Sequence, residues 1–327
     1  MNELVSIITV YYNRENHILK SIESLINQTH QNIEIIIVDD GSTDNSDKFY
    51  KMLDDKRIRL ISHENMGFTN SVKKAIELSN GEYIAIHGSG DISHERRIEK
   101  QLKVFREKKD IGIVSNYAYK TREDNSYSTV IEKDFDYNTS YVEQLLKESI
   151  IVHGSAMFRK EIYNRVGGYR NIFTYGQDRD LWLRMTLFTK PFIIPEFLYT
   201  MYVLPGSVSD DFEKRIVQLF LRSLSNQNIE IRKNTGCDCD LIDKYGFNSI
   251  FFRKRDKELS YKLLRVSITE ITNKKYKNAL RAIKLSFEEK KTLMNTFLYL
   301  LLKIFYNNKV VMGLFKSIFY KLKRRKI

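Results

Sequence analysis

Proline and glycine are scarce, with 3 and 14 in 327 residues. Together with abundant aromatics, 20 Tyr and 19 Phe, that composition argues against a disordered chain. Cysteine is rarer still. Cys237 and Cys239 form a single C-x-C with no second pair. Two thiols cannot build a disulfide framework or a four-ligand zinc site, so reduced thiols in a reducing compartment are expected. The N-terminus lacks a basic n-region, a long apolar h-region and a cleavage site, so no signal peptide is expected. Acid is missing from the end of the chain. Lys290 to Ile327 carries ten Lys and Arg and no Asp or Glu, leaving only +3 of the net +13 for the first 289 residues. The basicity belongs to a tail and points to an anionic partner of that tail.

What is present is enough apolar residue, 42%, for one large core or two smaller ones. "VSIITVYY" (Val5–Tyr12) is a run of β-branched and aromatic residues that suits a buried strand. Ile18, Leu19, Ile22, Leu25 and Ile26 follow at helical spacing. The alternation continues through "IEIIIVDD", "IRLIS", "EYIAIH" and "IGIVSN" as strands, with "SVKKAIELS" and "RRIEKQLKVFRE" as helices between them. Repeated β-α units with short connectors predict a mostly parallel sheet flanked by helices. Ligands in such folds bind beyond the carboxyl ends of the strands. The loops after Tyr12, Val38, Ser62 and His87 are therefore the ones to read. "YSTVIEK", "GSAMFRK" and "PFIIPEFLYTMYVL" look like further strands, and "TSYVEQLLKES" and "DRDLWLRMTLF" like helices. Beyond about Phe212 the pattern is helical. A polar, turn-rich stretch places a domain change near residues 225–250, drawn as 1–225 (halves of about 1–115 and 116–225) and 226–327.

Several residues could carry chemistry. Asp39 and Asp40 end a strand and cannot both point into an apolar core. They either cap the next helix with Ser42 and Thr43 or accept hydrogen bonds from a ligand at the sheet's rim. Asn65 and Gly67 stand in a turn before a helix, where backbone N–H groups favour anions. Asp178 lies near a helix N-terminus with Leu181, Trp182 and Met185 on an apolar face. It is either a helix-dipole acid or a general base held over a cleft.

The series "VSIITVYYN", "VDDGSTDNS", "NMGFTNS", "GEYIAI…D", "RIEKQ", "VGGY" and "GQDRDLWLRM" resembles family 2 glycosyltransferases in order and spacing, over about residues 4–210. The resemblance implies a GT-A fold with a nucleotide-sugar-binding half and an acceptor-binding half. It also implies inverting transfer from a nucleotide diphosphate sugar, a UDP-sugar being favoured, to a hydroxyl of a glycan or lipid-linked acceptor. Asp178 takes the place of the base. Val10 and Tyr12 flank the nucleotide base, Asp39 and Asp40 accept from it, and Asn65, Gly67, Ser89 and Asp91 line the donor. His153, Gly154, Gln177 and Trp182 fall on the sugar and acceptor side.

The family's Asp-x-Asp-Asp aligns with Gly88, Ser89, Gly90 and Asp91. Both carboxylates of the pair that would hold Mg²⁺ or Mn²⁺ are thereby lost, and Asp91 is left as the one candidate ligand. Leu204 stands where relatives carry a metal-binding histidine. Three readings stay open: altered metal binding through Asp91, action without a tightly held metal, and a catalytically inactive glycosyltransferase-like binding or scaffold subunit. The tail mixes Phe, Leu and Tyr with Lys, but its longest charge-free run, Thr292 to Leu302, is about half of a bilayer span. Lys290 to Ile327 therefore suits an in-plane helix on anionic lipid, peripheral on the cytoplasmic face of the cell membrane. A packed helix with a solvated basic end is the competing reading, and no nucleic-acid-binding motif accompanies the charge.

Overall fold

The computed structural model describes residues 3–50, 52–122, 128–203, 211–236 and 239–305. The chain divides into two compact units, Met1–Pro205 and Gly206–Ile327.

The first unit runs β1 (Val5–Tyr11), α1 (Ile18–Ile26), β2 (Ile33–Asp40), α2 (Ser46–Tyr50), β3 (Ile58–His63), α3 (Phe68–Glu77) and β4 (Tyr83–His87). It continues with β5 (Ile92–Ser93), α4 (Arg97–Glu107), β6 (Ile111–Thr121), β7 (Ser128–Ile131), α5 (Tyr141–Lys147) and β8 (Met157–Arg159). It closes with α6 (Lys160–Arg165), α7 (Gln177–Met185) and β9 (Lys190–Tyr202). One sheet holds the strands in the spatial order β3-β2-β1-β4-β8-β6-β9-β5, with β7 along β6. Strands β1, β2, β3, β4, β6 and β9 share one direction; β5, β7 and β8 oppose it. The fold is the expected mixed α/β one, with a mostly parallel central sheet between helices.

The apolar runs become strands because both of their faces are covered. Every residue of β1 and β4 is buried, and in β2 only Glu34 is partly exposed. Such continuous burial is the mark of a parallel sheet with helices on both sides. On α1 the covering face is Ile18, Ile22 and Leu25, spaced i, i+4, i+7 and fully buried. Each such side chain stabilises the fold by about 1.5–3 kcal/mol. The register sets the rim of the sheet. Tyr11 pairs with Asp39, Asp40 with His63, and Thr9 with His87, so the loops after β1, β2, β3 and β4 emerge side by side.

The second unit is helical: α8 (Phe212–Thr235), α9 (Leu241–Tyr245), α10 (Lys257–Thr272), α11 (Tyr276–Glu289) and α12 (Leu293–Phe305). The boundary expected near residue 225 falls inside α8. That helix is capped by Asp211, which accepts from the Lys214 amide, and it ends at Gly236 with φ +63°. Helices α10, α11 and α12 share a core of Leu264, Ile271, Ala279, Ile283, Leu298, Leu301 and Leu302. The start of the basic tail is therefore a packed helix; residues 306–327, with Leu204 and Cys237, lie outside the described residues. No helix among the described residues is long and apolar enough to cross a membrane.

One buried ion cluster locks α7 onto the first unit. Asp180 is 1% exposed. Its Oδ2 accepts from Arg184 Nη2 at 2.7 Å and Nε at 3.0 Å and from Arg170 Nε at 3.0 Å; Arg170 Nη2 donates to Oδ1. Arg184 also donates to the carbonyls of Val166 at 2.6 Å and Gly168 at 2.7 Å. Burial alone would raise the Asp180 carboxyl, but the charges of Arg184 and Arg170 hold it below the ordinary carboxylate range. Breaking a buried pair leaves an uncompensated charge, so Asp180→Asn is expected to cost about 3–5 kcal/mol, read as a lower melting temperature at pH 7. Because the folded carboxyl is depressed, this contribution is full above the ordinary pKa of about 4 and disappears as pH falls through the folded value. The gap between wild type and Asp180→Asn should narrow in melts taken at progressively lower pH.

Candidate active site

The rim is built from loops that hold one another. Asn13, at φ +52°, accepts from the Thr43 amide at 2.8 Å and donates its own amide to Ser42 Oγ at 3.1 Å. Glu15 accepts from the Asn45 amide at 2.7 Å. The loops after β1 and β2 are thus stitched together, with Tyr12 between them, 48% exposed, and Val10 buried below. Asp39 turns back on its own loop and accepts from the Ser42 amide at 3.0 Å. Asp40 reaches further. Its Oδ1 accepts from the Met66 amide at 2.9 Å and from Ser71 Oγ at 2.8 Å, and His63 Nδ1 lies 3.6 Å away. Gly41 sits at φ +74°, and a Cβ there would lie 2.5 Å from the Asn65 nitrogen. Asn65 is consequently pressed against the end of β2, and Gly67, at φ +83°, starts α3 two residues on.

From this rim a continuous set of contacts leads to Asp178. Thr69 Oγ1 donates to the Phe173 carbonyl at 2.9 Å, and Lys73 to Asn171 at 3.0 Å. The Phe68 ring meets His153 edge-on with centroids 5.7 Å apart. His153 also packs against Trp182 at 6.1 Å and bonds Tyr169 OH through Nε2 at 2.8 Å. Trp182 is one turn beyond Asp178 on α7, so both lie on the face turned to His153. Burial pushes His153 below the ordinary imidazole range, opposed by the negative charge of Asp178. Burial also pushes the Tyr169 hydroxyl well up, and Asp178 adds to that. Gly176, at φ +73°, starts α7, and Gln177 and Asp178 follow in its first turn, both partly exposed.

The loop after β4 is arranged differently from a metal cradle. Asp91 is 7% exposed; Oδ2 accepts from Tyr199 OH at 2.7 Å and Oδ1 from the Tyr202 amide at 2.9 Å. Beneath it lies Arg97, fully buried, which donates to the carbonyls of Ile86 and Gly154 and sits 5.4 Å from the centre of the Tyr199 ring. Burial raises the Asp91 carboxyl to about 6, against the Tyr199 and Tyr202 bonds and the Arg97 charge. His87 is buried, pushed well below its ordinary pKa by burial and Arg97, and bonded to Ser21 at 3.0 Å and Ser93 at 3.1 Å. A dication needs several oxygen ligands with spare negative charge. This loop offers one carboxylate, already bonded twice and faced by a buried guanidinium. Among the described residues no three His, Cys, Asp or Glu side chains cluster to hold a metal. The residues present do not fit the usual metal arrangement.

Glycine is required at positions 88 and 90. A Cβ at Gly88 would lie 2.2 Å from Asp91 Oδ2, and Gly90 has φ +92°. Asp91 therefore occupies space that a side chain at position 88 would need. Ser89, between the two glycines, is partly exposed. Gly154 is equally tight, since a Cβ there would meet Tyr199 OH at 2.3 Å. Residues that the motif reading did not single out are Tyr199, Tyr202, Tyr169, Arg170, Asp180 and Arg184. Tyr169, Asp180 and Arg184 stood in quoted motifs without being given a role; none of the tyrosines carries a local signal of its partners. Gly88→Asp is expected to cost about 1–3 kcal/mol by overpacking, and Mn²⁺ should leave its melting temperature unmoved.

Residues 6–167 match the model of glycosyl transferase family 2. The glycosyltransferase GlyG of Streptococcus pneumoniae is 30% identical over 245 residues, covering 69% of this chain and 81% of that protein. An uncharacterised glycosyltransferase of Methanocaldococcus jannaschii is 30% identical over 218 residues, covering 65% and 74%. In fold, the chain is similar to residues 1–349 of Staphylococcus aureus TarS, solved with UDP-GlcNAc. The TM-score is 0.61 at 14% identity, covering 98% of this chain and 91% of that one. It is also similar to the mannosyltransferase PcManGT of Pyrobaculum calidifontis, solved with GDP-Man and Mn²⁺. There the TM-score is 0.52 at 15% identity, covering 97% and 84%. With its strand-rim loops, its motif order and these relatives, the chain belongs to glycosyltransferase family 2, on a GT-A fold.

Proposed function

We propose that the protein is an inverting, hexosyl-type glycosyltransferase acting from a nucleotide diphosphate sugar, with Asp178 as general base. The observation that carries the reading is the path from Asp40 through Met66, Phe68 and His153 to Trp182, one turn from Asp178 on α7, whose charge acts on His153. It brings the strand rim and the first turn of α7 into one neighbourhood, as a donor and a nucleophile require. The relatives solved with UDP-GlcNAc and GDP-Man support a nucleotide sugar as donor; a UDP-sugar is the form proposed. Tyr12 would lie along the nucleotide base with Val10 below it. Asp39 and Asp40, Asn65 and Gly67 would line the nucleoside, and Ser89 and Asp91 the sugar diphosphate. His153, Gly154, Gln177 and Trp182 would border the transferred sugar and the acceptor.

The chemistry is a single displacement. An acceptor hydroxyl attacks the anomeric carbon, Asp178 takes its proton, and the nucleotide diphosphate leaves with the electrons of the C–O bond. The transition state is oxocarbenium-like, so charge grows on the leaving diphosphate. No step is routed through a metal. The Gly88 amide is spent on Tyr199 OH at 2.8 Å, so the Ser89 amide would meet that charge, with Arg97 acting only as a buried cation behind the loop. The acceptor proposed is a glycan or lipid-linked sugar, handled on the inner face of the cell membrane with Lys290–Ile327 against anionic lipid. A second reading, donor binding without transfer, is favoured by one observation, the glycines at positions 88 and 90.

Asp178→Asn separates the two readings. Transfer should fall by about a hundredfold or more, the usual range for a lost general base, while UDP affinity by calorimetry holds. Equal transfer by both proteins would remove Asp178 from its role. UDP affinity should also differ by less than about threefold between Mn²⁺ and EDTA, since the loop lacks spare carboxylates for a dication. A strong gain with Mn²⁺ would overturn the metal-free reading.

A further inference from the structure

The second unit carries apolar surface that nothing within the described residues covers. A short 3-10 helix, Gly246–Phe252, presents Phe247 at 71% and Phe251 at 82% exposure, with Phe252 half-exposed and stacked on Tyr245. Helix α12 is apolar on two faces. Leu298 and Leu302 pack inward, while Leu293 (93% exposed), Phe297, Leu300 and Ile304 form an outward stripe spaced i, i+4, i+7, i+11. Soluble monomers rarely expose contiguous patches of this kind.

Both apolar segments connect to one junction. Arg253, directly after the aromatic turn, is ion-paired with Glu289 at the end of α11, and the Asp256 amide donates to the same carboxylate at 2.9 Å. The chain enters α12 four residues later, at Leu293. In this junction lies a cleft of about 710 Å³ lined by Arg255, Lys257, Lys290 and Lys291, with Phe287, Glu288 and Glu289. Glu289 is offset by Arg253, which leaves the cations in excess. No acid follows Glu289 in the sequence.

We propose that this face of the second unit lies on an anionic lipid surface, with Phe247, Phe251 and the α12 stripe in the headgroup–acyl boundary and the basic cleft on lipid phosphates. Apolar side chains rimmed by lysine and arginine are the composition of an in-plane membrane contact. A second copy of the chain is a poorer occupant, because it would set the same cations against each other. The proposal deepens the membrane-surface reading given above. It rests on residues that take no part in the proposed glycosyl transfer.

The test uses the full chain and sedimentation with vesicles of phosphatidylcholine alone or with about one third phosphatidylglycerol. Wild type should sediment with the anionic vesicles and not with the neutral ones. Phe251→Ser/Phe297→Ser and Lys290→Glu/Lys291→Glu should each weaken that binding by about tenfold or more. Circular dichroism and calorimetric UDP affinity of both variants should match wild type, since the altered side chains are exposed. Binding unchanged in both variants would overturn this site while leaving a membrane-bound tail standing. No binding of wild type to anionic vesicles would overturn both. A wild-type dimer that Phe297→Ser converts to monomer, without vesicle binding, would assign the stripe to self-association. UDP binding measured on the same samples reports on the glycosyltransferase reading separately.

Discussion

Asp40 is the constraint on which the rim depends. Its carboxylate is 3% exposed at the end of β2 and could not remain there without partners. The partners it takes, the Met66 amide and Ser71 Oγ, lie in the next loop and helix. One desolvated group thereby fixes the β3–α3 loop against the strand end. It also fixes the position of Phe68, whose ring meets His153. The position of the β3–α3 loop relative to His153 follows from this bond.

The two acidic motifs divide their work in a similar way. In each, one carboxylate is consumed by distant partners and another is left nearer the open side. Asp40 ties β2 to α3, while Asp39 bonds only within its own turn. Asp180 is held by Arg170 and Arg184, which also hold the Val166 and Gly168 carbonyls, while Asp178 stays partly exposed one turn from Trp182. A buried, fully bonded anion fixes the backbone of the helix start and with it the place of the more exposed carboxylate.

The β4 loop is held from within. Asp91 turns inward onto Tyr199 and Tyr202. Its Oδ2 lies where a Cβ at Gly88 would be, so the glycine and the inward carboxylate depend on each other. The loop is a strut between β4 and β9. The charge of Arg97 favours the ionised form of Asp91.

By itself the sequence determined the alternation of strands and helices in the first 120 residues, because burial on two faces writes continuous apolar runs and burial on one face writes 3.6-residue periodicity. It also determined that Asp39, Asp40 and the Asn65–Gly67 turn stand at strand ends, since chain order in a parallel sheet puts those ends on one rim. Only the tertiary structure decided which carboxylates are structural. Asp91 is bonded to residues 108 and 111 positions away, and Asp40 to residues 26 and 31 away. No local pattern encodes such partners. The same holds for the division of the chain, where the polar stretch from 225 onward suggested a break but α8, capped by Asp211 and Gly236, occupies its first part, to Thr235. Periodicity is a local property and is legible in one dimension. The pairing of a buried polar group depends on which distant segment the fold brings beside it.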